Sequence, residues 1–201
     1  MLQVGITGGI GSGKTTVCKI FEILNIPIYY ADDQAKKIMV TNELLIQDIK
    51  DFLGPDAYTK DGQLNRAYIA NIVFNDQSKL DRLNSIVHPA MYKDGQRWHQ
   101  QQTGVPYTLK EAAILFESKG HTLMDKTILV VAPQEVRIQR VMARDTTDKE
   151  AVLARMSKQM PDEEKIPLAD YIILNNGKAP LVPQILKIHD KLSILSKKRI
   201  G

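Results

Sequence analysis

The chain has 201 residues and a mass of 22.6 kDa, which favours one domain with a sizeable insertion over two full domains. With 43% hydrophobic and 25% charged residues, the composition excludes a disordered chain and a collagen-like repeat. The formal net charge of +4 does not require a nucleic-acid partner but suits a polyanionic small molecule.

Cys18 is the single cysteine, which excludes an intramolecular disulfide framework and favours a reducing, cytoplasmic compartment. No apolar run approaches the ~18 residues of a membrane span, and Met1 leads straight into a strand-like stretch, so we expect no membrane segment and no signal peptide.

The hydrophobic pattern predicts strands that alternate with helices at both ends of the chain. Residues 2–7 are typical of a buried strand, and from Lys14 apolar residues recur with helical spacing until Asn25 and Pro27 end that helix. With the strand that follows, they form a βαβ unit, which is typical of a mostly parallel sheet. The predicted strands are residues 2–7, 28–31, 107–115, 126–132 and 170–174, and a final amphipathic helix spans residues 181–195. The predicted fold class is therefore α/β, with a doubly wound five-stranded parallel sheet.

The stretch between the second and third predicted strands has a different pattern. Residues 33–101 contain two apolar stripes with helical spacing and no convincing strand, which predicts a helical insertion. The second stripe closes at His88-Pro89. Further along the chain, residues 145–165 are highly charged and predict an exposed, mobile segment.

The most specific motif lies between the first strand and the first helix. Residues 8–15, Gly-Gly-Ile-Gly-Ser-Gly-Lys-Thr, match G-x-x-x-x-G-K-(S/T) at every fixed position. Glycines let several backbone N–H groups turn toward a phosphate, and the following helix adds its positive N-terminal end. In such a loop Lys14 reaches the β- and γ-phosphates, and the Thr15 hydroxyl is the expected Mg²⁺ ligand. A plain glycine-rich turn is the competing interpretation, but the flanking strand and helix favour a nucleoside triphosphate with Mg²⁺.

Three classes of phosphate-binding protein fit this loop: a small-molecule kinase, a GTPase-type switch and an ATPase motor. A GTPase carries a guanine-reading Asn-Lys-x-Asp after a strand, and neither residues 132–135 nor residues 175–178 supply it. A motor usually needs a larger chain and a hydrophobic strand that ends in Asp-Glu, which the sequence does not display. A kinase needs an acceptor pocket, a group that orients or deprotonates the acceptor hydroxyl, and arginines that cover the transferred phosphoryl group. The chain offers candidates for all three.

Asp32 is the candidate proton acceptor. It follows the second predicted strand, and in a doubly wound sheet that edge faces the ligand crevice. A carboxylate there can accept the hydroxyl proton as the γ-phosphoryl group leaves, although an Asp-Asp pair after a strand also serves as a helix N-cap. The helical insertion begins directly after Asp32, and we expect it to wall the acceptor site, with His88 as a pocket residue rather than a base.

Four arginines form a candidate phosphate clamp: Arg137, Arg140, Arg144 and Arg155. Arg140 and Arg144 are four residues apart and therefore share a helix face. Converging arginines suit the charge that spreads over a transferring phosphoryl group, whereas a solvated charged face is the competing interpretation. Beside a phosphate-binding loop, we expect Arg140 and Arg144 to contact the nucleotide.

An ordered set of motifs covers about residues 3–177. The loop with its preceding strand reads Gly-Ile-Thr-Gly-Gly-Ile-Gly-Ser-Gly-Lys-Thr over residues 5–15, and Tyr-Ala-Asp-Asp-Gln-Ala-Lys follows over residues 30–36. Further matching segments are residues 62–74, 83–89, 111–117, 140–145, 154–159 and 169–175. Together they resemble the dephospho-CoA kinase family. The chain departs from the family pattern at Tyr30, which replaces the first aspartate of D-A-D, and at Glu111 and Ala113, which replace the aspartate and proline of D-x-P.

The resemblance implies an ATP- and Mg²⁺-dependent transfer to the ribose 3′-hydroxyl of dephospho-CoA, on a P-loop kinase fold with a helical insertion and a helical lid. It implies a nucleotide-binding core of residues 1–32 and 102–201, with the lid at about residues 140–165, and a helical acceptor domain of residues 33–101. The motifs and the resemblance together predict three catalytic residues, Lys14, Asp32 and Arg140. The predicted nucleotide-binding residues are Gly9, Gly11, Ser12, Gly13, Lys14, Thr15, Thr16, Arg140, Arg144 and Asn175, with Thr15 as the metal ligand. The predicted acceptor-binding residues are Asp32, Lys36, Arg66 and His88.

Two other functions stay open from the sequence. The first is a kinase that phosphorylates another small hydroxyl acceptor, such as a nucleoside, a nucleotide or a shikimate-like acid. The second is a non-catalytic ATP-binding module. We expect ATP and dephospho-CoA as the small-molecule partners, no nucleic-acid or membrane partner, and a monomer or small homo-oligomer.

Overall fold

The computed structural model of the chain describes residues 1–74 and 76–200. Its strands are β1 (Leu2–Thr7), β2 (Ile28–Tyr30), β3 (Tyr107–Glu111), β4 (Lys126–Val131) and β5 (Tyr171–Leu174). Its helices are α1 (Lys14–Ile23), α2 (Ala31–Thr41), α3 (Glu43–Leu53), α4 (Arg66–Val73), α5 (Gln77–Gln100), α6 (Gln134–Asp145), α7 (Lys149–Met156), α8 (Asp162–Lys165) and α9 (Leu181–Ile200). All five predicted strands are present, but β3 ends at Glu111 rather than at residue 115. Leu115, the last residue of the predicted strand, is buried together with Phe116 in the turn that follows.

The five strands form one parallel sheet in the order β2-β3-β1-β4-β5. In the central strand β1, Val4 lies opposite Leu109 of β3 on one side and Lys126 of β4 on the other. All six residues of β1 are buried, as expected for a parallel sheet that helices cover on both faces. The chain leaves β1 toward one edge of the sheet and later passes to the other edge. The carboxyl end of β1 is therefore the switch point at which α/β sheets bind ligands, and the predicted fold class is confirmed.

The main core packs α1 and α9 with the sheet. Val17, Cys18 and Phe21 of α1 are fully buried, as are Ile185 and Leu192 of α9. Burial raises the pKa of the Cys18 thiol to about 12, so this cysteine is a neutral packing residue at physiological pH. In the described part of the chain, no helix is long and apolar enough to cross a membrane.

The described chain divides into two compact units. The sheet unit consists of Met1–Tyr30 and the residues from Gln102 onward, and the helical unit, Ala31–Gln101, contains α2 to α5. The helical unit has a core of its own, built from Ile38, Leu45, Ile49, Leu53, Ala57 and Tyr58. The buried Tyr58 hydroxyl donates to the Met39 carbonyl oxygen over 2.7 Å, which ties the segment after α3 to α2.

Helix α5 continues through Pro89 and ends at Gln100, well past the end of the apolar stripe at His88-Pro89. A proline inside a helix removes one backbone donor. Here Ile86 and Val87 before it and Met91 after it all pack against the core of the helical unit. Burial on both sides of the proline therefore keeps the helix continuous across the missing hydrogen bond.

The charged stretch of residues 145–165 contains α7 and α8 and is not exposed throughout. Val152 is fully buried in a small core that α7 shares with α6, and Lys165 is also fully buried. Asp148 caps α7, because its Oδ1 accepts from the Ala151 N–H over 2.7 Å. Most of the segment is exposed, as expected, and a few buried residues anchor it.

Candidate active site

The glycine-rich loop joins the carboxyl end of β1 to the start of α1, at the switch point of the sheet. Gly11 and Gly13 have φ angles of +78° and +91°, which residues with a side chain rarely adopt. A Cβ on Gly13 would also collide with Nδ2 of Asn175. Because Gly13 is the N-cap of α1 and carries no side chain to cap it, the positive end of the helix stays open to an anion. The loop therefore has the shape and the polarity to hold phosphate.

Lys14 and Glu111 meet beside this loop. The Lys14 Nζ donates to the Gly8 carbonyl oxygen over 2.7 Å and lies 4.0 Å from Glu111 Oε1. Glu111 is the last residue of β3 and pairs in register with Ile6 of β1, so its carboxylate reaches the loop from the neighbouring strand. The sequence marked Glu111 as a departure from a motif and left open whether it helps to hold Mg²⁺ through water. Its position at the carboxyl end of a strand next to β1 is the signal that places it at the site.

The other predicted loop residues differ in exposure. Ser12 is fully buried, and its N–H donates to the Gly9 carbonyl oxygen over 3.0 Å, which closes a turn inside the loop. Thr15 and Thr16 lie in the first turn of α1 and are exposed. Ser12 therefore shapes the loop, whereas the two threonine side chains are accessible to a ligand.

Arg140 and Asn175 both lie against the loop. Arg140 Nη1 donates to the Asn175 carbonyl oxygen over 3.1 Å and lies 3.4 Å from the Gly11 carbonyl oxygen. Its Nη2 donates to Asn175 Oδ1 over 3.2 Å, and Asn175 Nδ2 donates to the Ser12 carbonyl oxygen over 2.8 Å. Asn175 comes directly after β5, and Arg140 belongs to α6. The structure thus brings these two predicted residues together at the loop from distant parts of the sequence.

Arg144 pairs with its neighbour in sequence, Asp145. Its side chain is exposed, Nε donates to Asp145 Oδ1 over 2.6 Å, and Nη2 donates to Asp145 Oδ2 over 3.0 Å. Arg155 Nη1 lies 2.6 Å from the same carboxylate. The guanidinium groups of Arg144 and Arg155 hold the pKa of Asp145 well below its usual range. Helical spacing places Arg144 on the face of Arg140, but the adjacent carboxylate sets the direction of its side chain.

Arg137 also contacts the loop, although the sequence did not single it out from the arginine cluster as a site residue. It is buried, and its Nε donates to the Ile10 carbonyl oxygen over 2.9 Å. It precedes Arg140 by three residues on α6, so the two share a helix face. That spacing is the sequence signal that identifies it.

The predicted acceptor residues all lie in the helical unit, and each has an exposed side chain: Asp32 and Lys36 in α2, Arg66 at the start of α4, and His88 in α5. Asp32 is in the first turn of α2, two residues after β2 ends at Tyr30. A negative charge there also favours the helix. Lys36 Nζ pairs with Asp33 Oδ1 over 2.7 Å. The Asp32 carboxylate is therefore accessible at the point where the chain passes from the sheet into the helices.

The described residues contain no group of three His, Cys, Asp or Glu side chains that could hold a metal ion alone. Oxygen donors in the loop region include the exposed Thr15 hydroxyl and the Glu111 carboxylate beside Lys14. Mg²⁺ prefers such oxygen ligands, keeps several waters and takes further ligands from substrate phosphates. This sparse donor set therefore fits a Mg²⁺ ion that arrives with a nucleotide.

A parallel sheet of this strand order, a G-x-x-x-x-G-K-T loop at its switch point and an arginine held against that loop define a P-loop kinase. The family model for dephospho-CoA kinase matches residues 2–180. The chain belongs to the dephospho-CoA kinase family, which confirms the resemblance that its motifs indicate.

Similarity to individual relatives extends over nearly the whole chain. The chain is 41% identical over 179 residues to a dephospho-CoA kinase of Salinibacter ruber, and this alignment covers 88% of this chain and 90% of that protein. It is 34% identical over 187 residues to a dephospho-CoA kinase of Bacteroides fragilis, with coverages of 93% and 91%. The solved structure of dephospho-CoA kinase from Campylobacter jejuni matches with a TM-score of 0.70 at 28% identity, over 95% of this chain and 96% of that one.

Proposed function

We propose that the protein transfers the γ-phosphoryl group of ATP to the ribose 3′-hydroxyl of dephospho-CoA, the last step of coenzyme A biosynthesis. The observation that carries this proposal is the family match over residues 2–180 in a chain whose phosphate-binding loop is intact. The products are ADP and CoA, and the enzyme is a phosphotransferase with an alcohol group as acceptor.

The loop of the sheet unit binds the triphosphate of ATP. Its backbone N–H groups and the N-terminus of α1 donate to phosphate oxygens, and Lys14 offsets the charge on the β- and γ-phosphates. In the structure the Lys14 Nζ donates to the Gly8 carbonyl oxygen. When ATP binds, phosphate oxygens take the place of this acceptor. Arg140, which Asn175 holds near Gly11, adds positive charge where the transferring phosphoryl group spreads its negative charge.

Residues 140–165 act as the lid in this proposal. Closure of the lid excludes water, which suppresses wasteful hydrolysis of ATP. Arg144 then exchanges its Asp145 partner for a nucleotide phosphate. Its exposed side chain supports this exchange, because an exposed ion pair costs little to break.

Residues 33–101, together with Asp32, bind the acceptor. Asp32 orients the 3′-hydroxyl and takes its proton while the hydroxyl oxygen bonds to the γ-phosphorus and the bond to the bridging β,γ-oxygen breaks. The exposed carboxylate in the first turn of α2 supports this role. Lys36, Arg66 and His88, all exposed, supply donors for the diphosphate and polar groups of dephospho-CoA.

Thr15 and Glu111 would hold Mg²⁺, the first through its hydroxyl oxygen and the second through water, and the ion would neutralise charge on the β- and γ-phosphates. Glu111 also keeps a negative charge 4.0 Å from the Lys14 ammonium, which orients that group at the loop.

One assay separates this proposal from its alternatives. The purified protein is mixed with ATP, Mg²⁺ and dephospho-CoA, and ADP and CoA are separated by chromatography. Formation of CoA supports the proposal, turnover of a nucleoside or another hydroxyl acceptor alone indicates a different small-molecule kinase, and ATP binding without turnover indicates a regulatory module. Lys14→Met, which removes the loop ammonium, is the control that identifies a contaminating kinase.

A further inference from the structure

Arg137 packs against the first half of the phosphate-binding loop and fixes one of its residues. Its side chain is 11% exposed, and Nε donates to the Ile10 carbonyl oxygen over 2.9 Å. The N–H of the same Ile10 donates to Gln159 Oε1 over 2.8 Å. Ile10 is therefore held at its carbonyl by a side chain from α6 and at its amide by a side chain from the segment that follows α7.

The glycines on either side of Ile10 leave the space that Arg137 occupies. A Cβ on Gly9 would collide with Nη2 of Arg137, and a Cβ on Gly11 would meet the Arg137 backbone. Nη1 of Arg137 pairs with Asp162 Oδ2 over 3.1 Å, and the Asp162 side chain is 16% exposed. The planar guanidinium group thus links the loop to α8 in one fixed orientation.

We infer that Arg137 is a positioning residue for nucleotide binding, because it orients the peptide group between Ile10 and Gly11. In a trans peptide the C=O and N–H groups point in opposite directions, so the bond from Arg137 to the Ile10 carbonyl turns the Gly11 N–H away from α6. A loop N–H held in this way donates to a phosphate oxygen without first having to reorient. The inference rests on the proposed role of the loop as the ATP site. It gives Arg137 a different task from Arg140, since Arg137 acts through the loop backbone and not on the phosphate itself.

Arg137→Met tests the inference, since it removes the donors and keeps an unbranched apolar chain. We expect the Kd for ATP, measured by calorimetry on the full chain without acceptor, to rise about 10- to 100-fold, the range for losing a hydrogen bond from a charged group. The KM for dephospho-CoA should stay within about 2-fold of the wild-type value, because the change acts on nucleotide binding alone. Asp162→Asn removes the ion pair but keeps the bond from Arg137 to Ile10, so its Kd for ATP should rise much less.

Arg137→Lys provides a second variant in case the methionine variant does not fold. Its ammonium keeps a positive charge near Asp162 but lacks the guanidinium fork that serves Ile10 and Asp162 together, so ATP binding should again weaken. Wild-type affinity for ATP in Arg137→Lys overturns the inference. An Asp162→Asn variant that binds ATP as weakly as Arg137→Met also overturns it, because the ion pair to α8 would then explain the whole effect.

Asp170→Asn is the matched control for a general loss of stability. Asp170 accepts from the Thr127 N–H over 2.8 Å and from Lys126 Nζ over 2.6 Å, at the amino ends of β4 and β5, which is the sheet edge opposite the loop. If this variant loses as much in Tm as Arg137→Met and also binds ATP as weakly, the inference is overturned. The binding measurement needs no acceptor, so it reports on Arg137 independently of the assay that decides whether dephospho-CoA is the substrate.

Discussion

Arg140 and Asn175 hold each other through two hydrogen bonds, from Nη1 to the Asn175 carbonyl oxygen over 3.1 Å and from Nη2 to Oδ1 over 3.2 Å. The Asn175 Nδ2 in turn donates to the Ser12 carbonyl oxygen over 2.8 Å. Because the oxygen and nitrogen of this amide have different partners, its orientation is fixed, and a carboxamide matches this pair of contacts where a carboxylate does not. One residue after β5 therefore joins the loop to the arginine of α6.

Asn175→Asp keeps an acceptor for Arg140 and removes the donor to Ser12. A carboxylate oxygen then faces a buried carbonyl oxygen, so the free energy of unfolding at pH 7 should fall by about 1–3 kcal/mol, as urea denaturation measures. ATP binding should weaken as well, because Ser12 is part of the loop. Asn176→Asp is the control, since Asn176 Oδ1 accepts from the Ala179 N–H over 2.8 Å and a carboxylate keeps that contact. Equal stability of Asn175→Asp and the wild type contradicts the prediction.

Gly13→Ala should raise the KM for ATP well above the wild-type value and slow turnover. The substitution strains a backbone with a φ angle of +91° and drives a methyl group into the Asn175 amide, and a displacement of about 1 Å in a positioned site can cost about 100-fold in rate. Gly177→Ala isolates the backbone strain, because Gly177 has a φ angle of +80° but nothing within 4 Å of the added Cβ. That variant should lose about 1–2 kcal/mol of stability and keep its KM for ATP. Similar KM values for the two variants would falsify the steric part of the argument.

Local patterns in the sequence are sufficient to predict the phosphate-binding loop and the strand and helix around it. The glycines at Gly11 and Gly13 are needed for local backbone reasons, and the alternation of apolar strands and amphipathic helices defines a parallel sheet. Asn175 could be linked to the loop only through the resemblance to a family, because 163 residues separate it from its partner Ser12. Contacts over such distances along the chain have no periodic signature.

The directions of individual side chains are what the sequence did not predict. One stripe of α6 carries three arginines whose side chains have different partners. Arg137 donates to the loop backbone, Arg140 to Asn175 and Arg144 to Asp145. Helical spacing assigns a face, whereas the nearest carbonyl or carboxylate decides where a long side chain ends. Tertiary packing also explains why α5 is uninterrupted. The residues on both sides of Pro89 pack against the core of the helical unit, and this packing stabilises the helix more than the proline destabilises it.

Glu117 should make stability depend on pH through its ion pair with the fully buried Lys165, at a distance of 2.9 Å. Burial raises the pKa of Glu117, but the bonds from Lys165 and from the Met160 N–H lower it by more, so the net shift is downward. A carboxyl group whose pKa is depressed in the folded state stabilises fully above its unfolded pKa, about 4.3, and loses that contribution as the pH falls through the folded-state value. Urea denaturation from pH 7 to about pH 3 measures this loss.

Glu117→Gln provides the comparison for that titration. It leaves the Lys165 ammonium buried beside a neutral amide, so it should destabilise by about 3–5 kcal/mol at pH 7. The difference from the wild type should shrink as the wild-type carboxyl is protonated at low pH. Adding Lys165→Met should recover part of the loss, because an apolar chain then replaces the unpaired charge. A difference that stays constant between pH 7 and pH 3 rules out the ion pair as its cause.

Asp32→Asn should lower kcat by about 10²- to 10⁴-fold, the usual contribution of a positioned general base, because an amide cannot take the acceptor proton. The Kd for ATP should not change. Asp33→Asn is a closely matched control, since Asp33 is also exposed in the first turn of α2 but pairs with Lys36. Steady-state kinetics with ATP and dephospho-CoA measure both variants. Near-normal turnover by Asp32→Asn, or an equal loss in Asp33→Asn, removes Asp32 from the role of base.

Glu111→Gln should raise the Mg²⁺ concentration needed for half-maximal activity by about 10-fold, the lower range for loss of an outer ligand of a metal. The amide keeps the size of the side chain but removes the negative charge 4.0 Å from Lys14 Nζ, so it holds a metal-bound water less strongly. Glu111→Asp keeps the charge, in the form that the family pattern has at this position, and should need no more than a small increase in Mg²⁺. Titration of activity with Mg²⁺ at saturating ATP distinguishes the variants. If Glu111→Gln and the wild type need the same Mg²⁺ concentration, Glu111 does not hold the metal and serves only to orient Lys14. The substitution should then change only the KM for ATP.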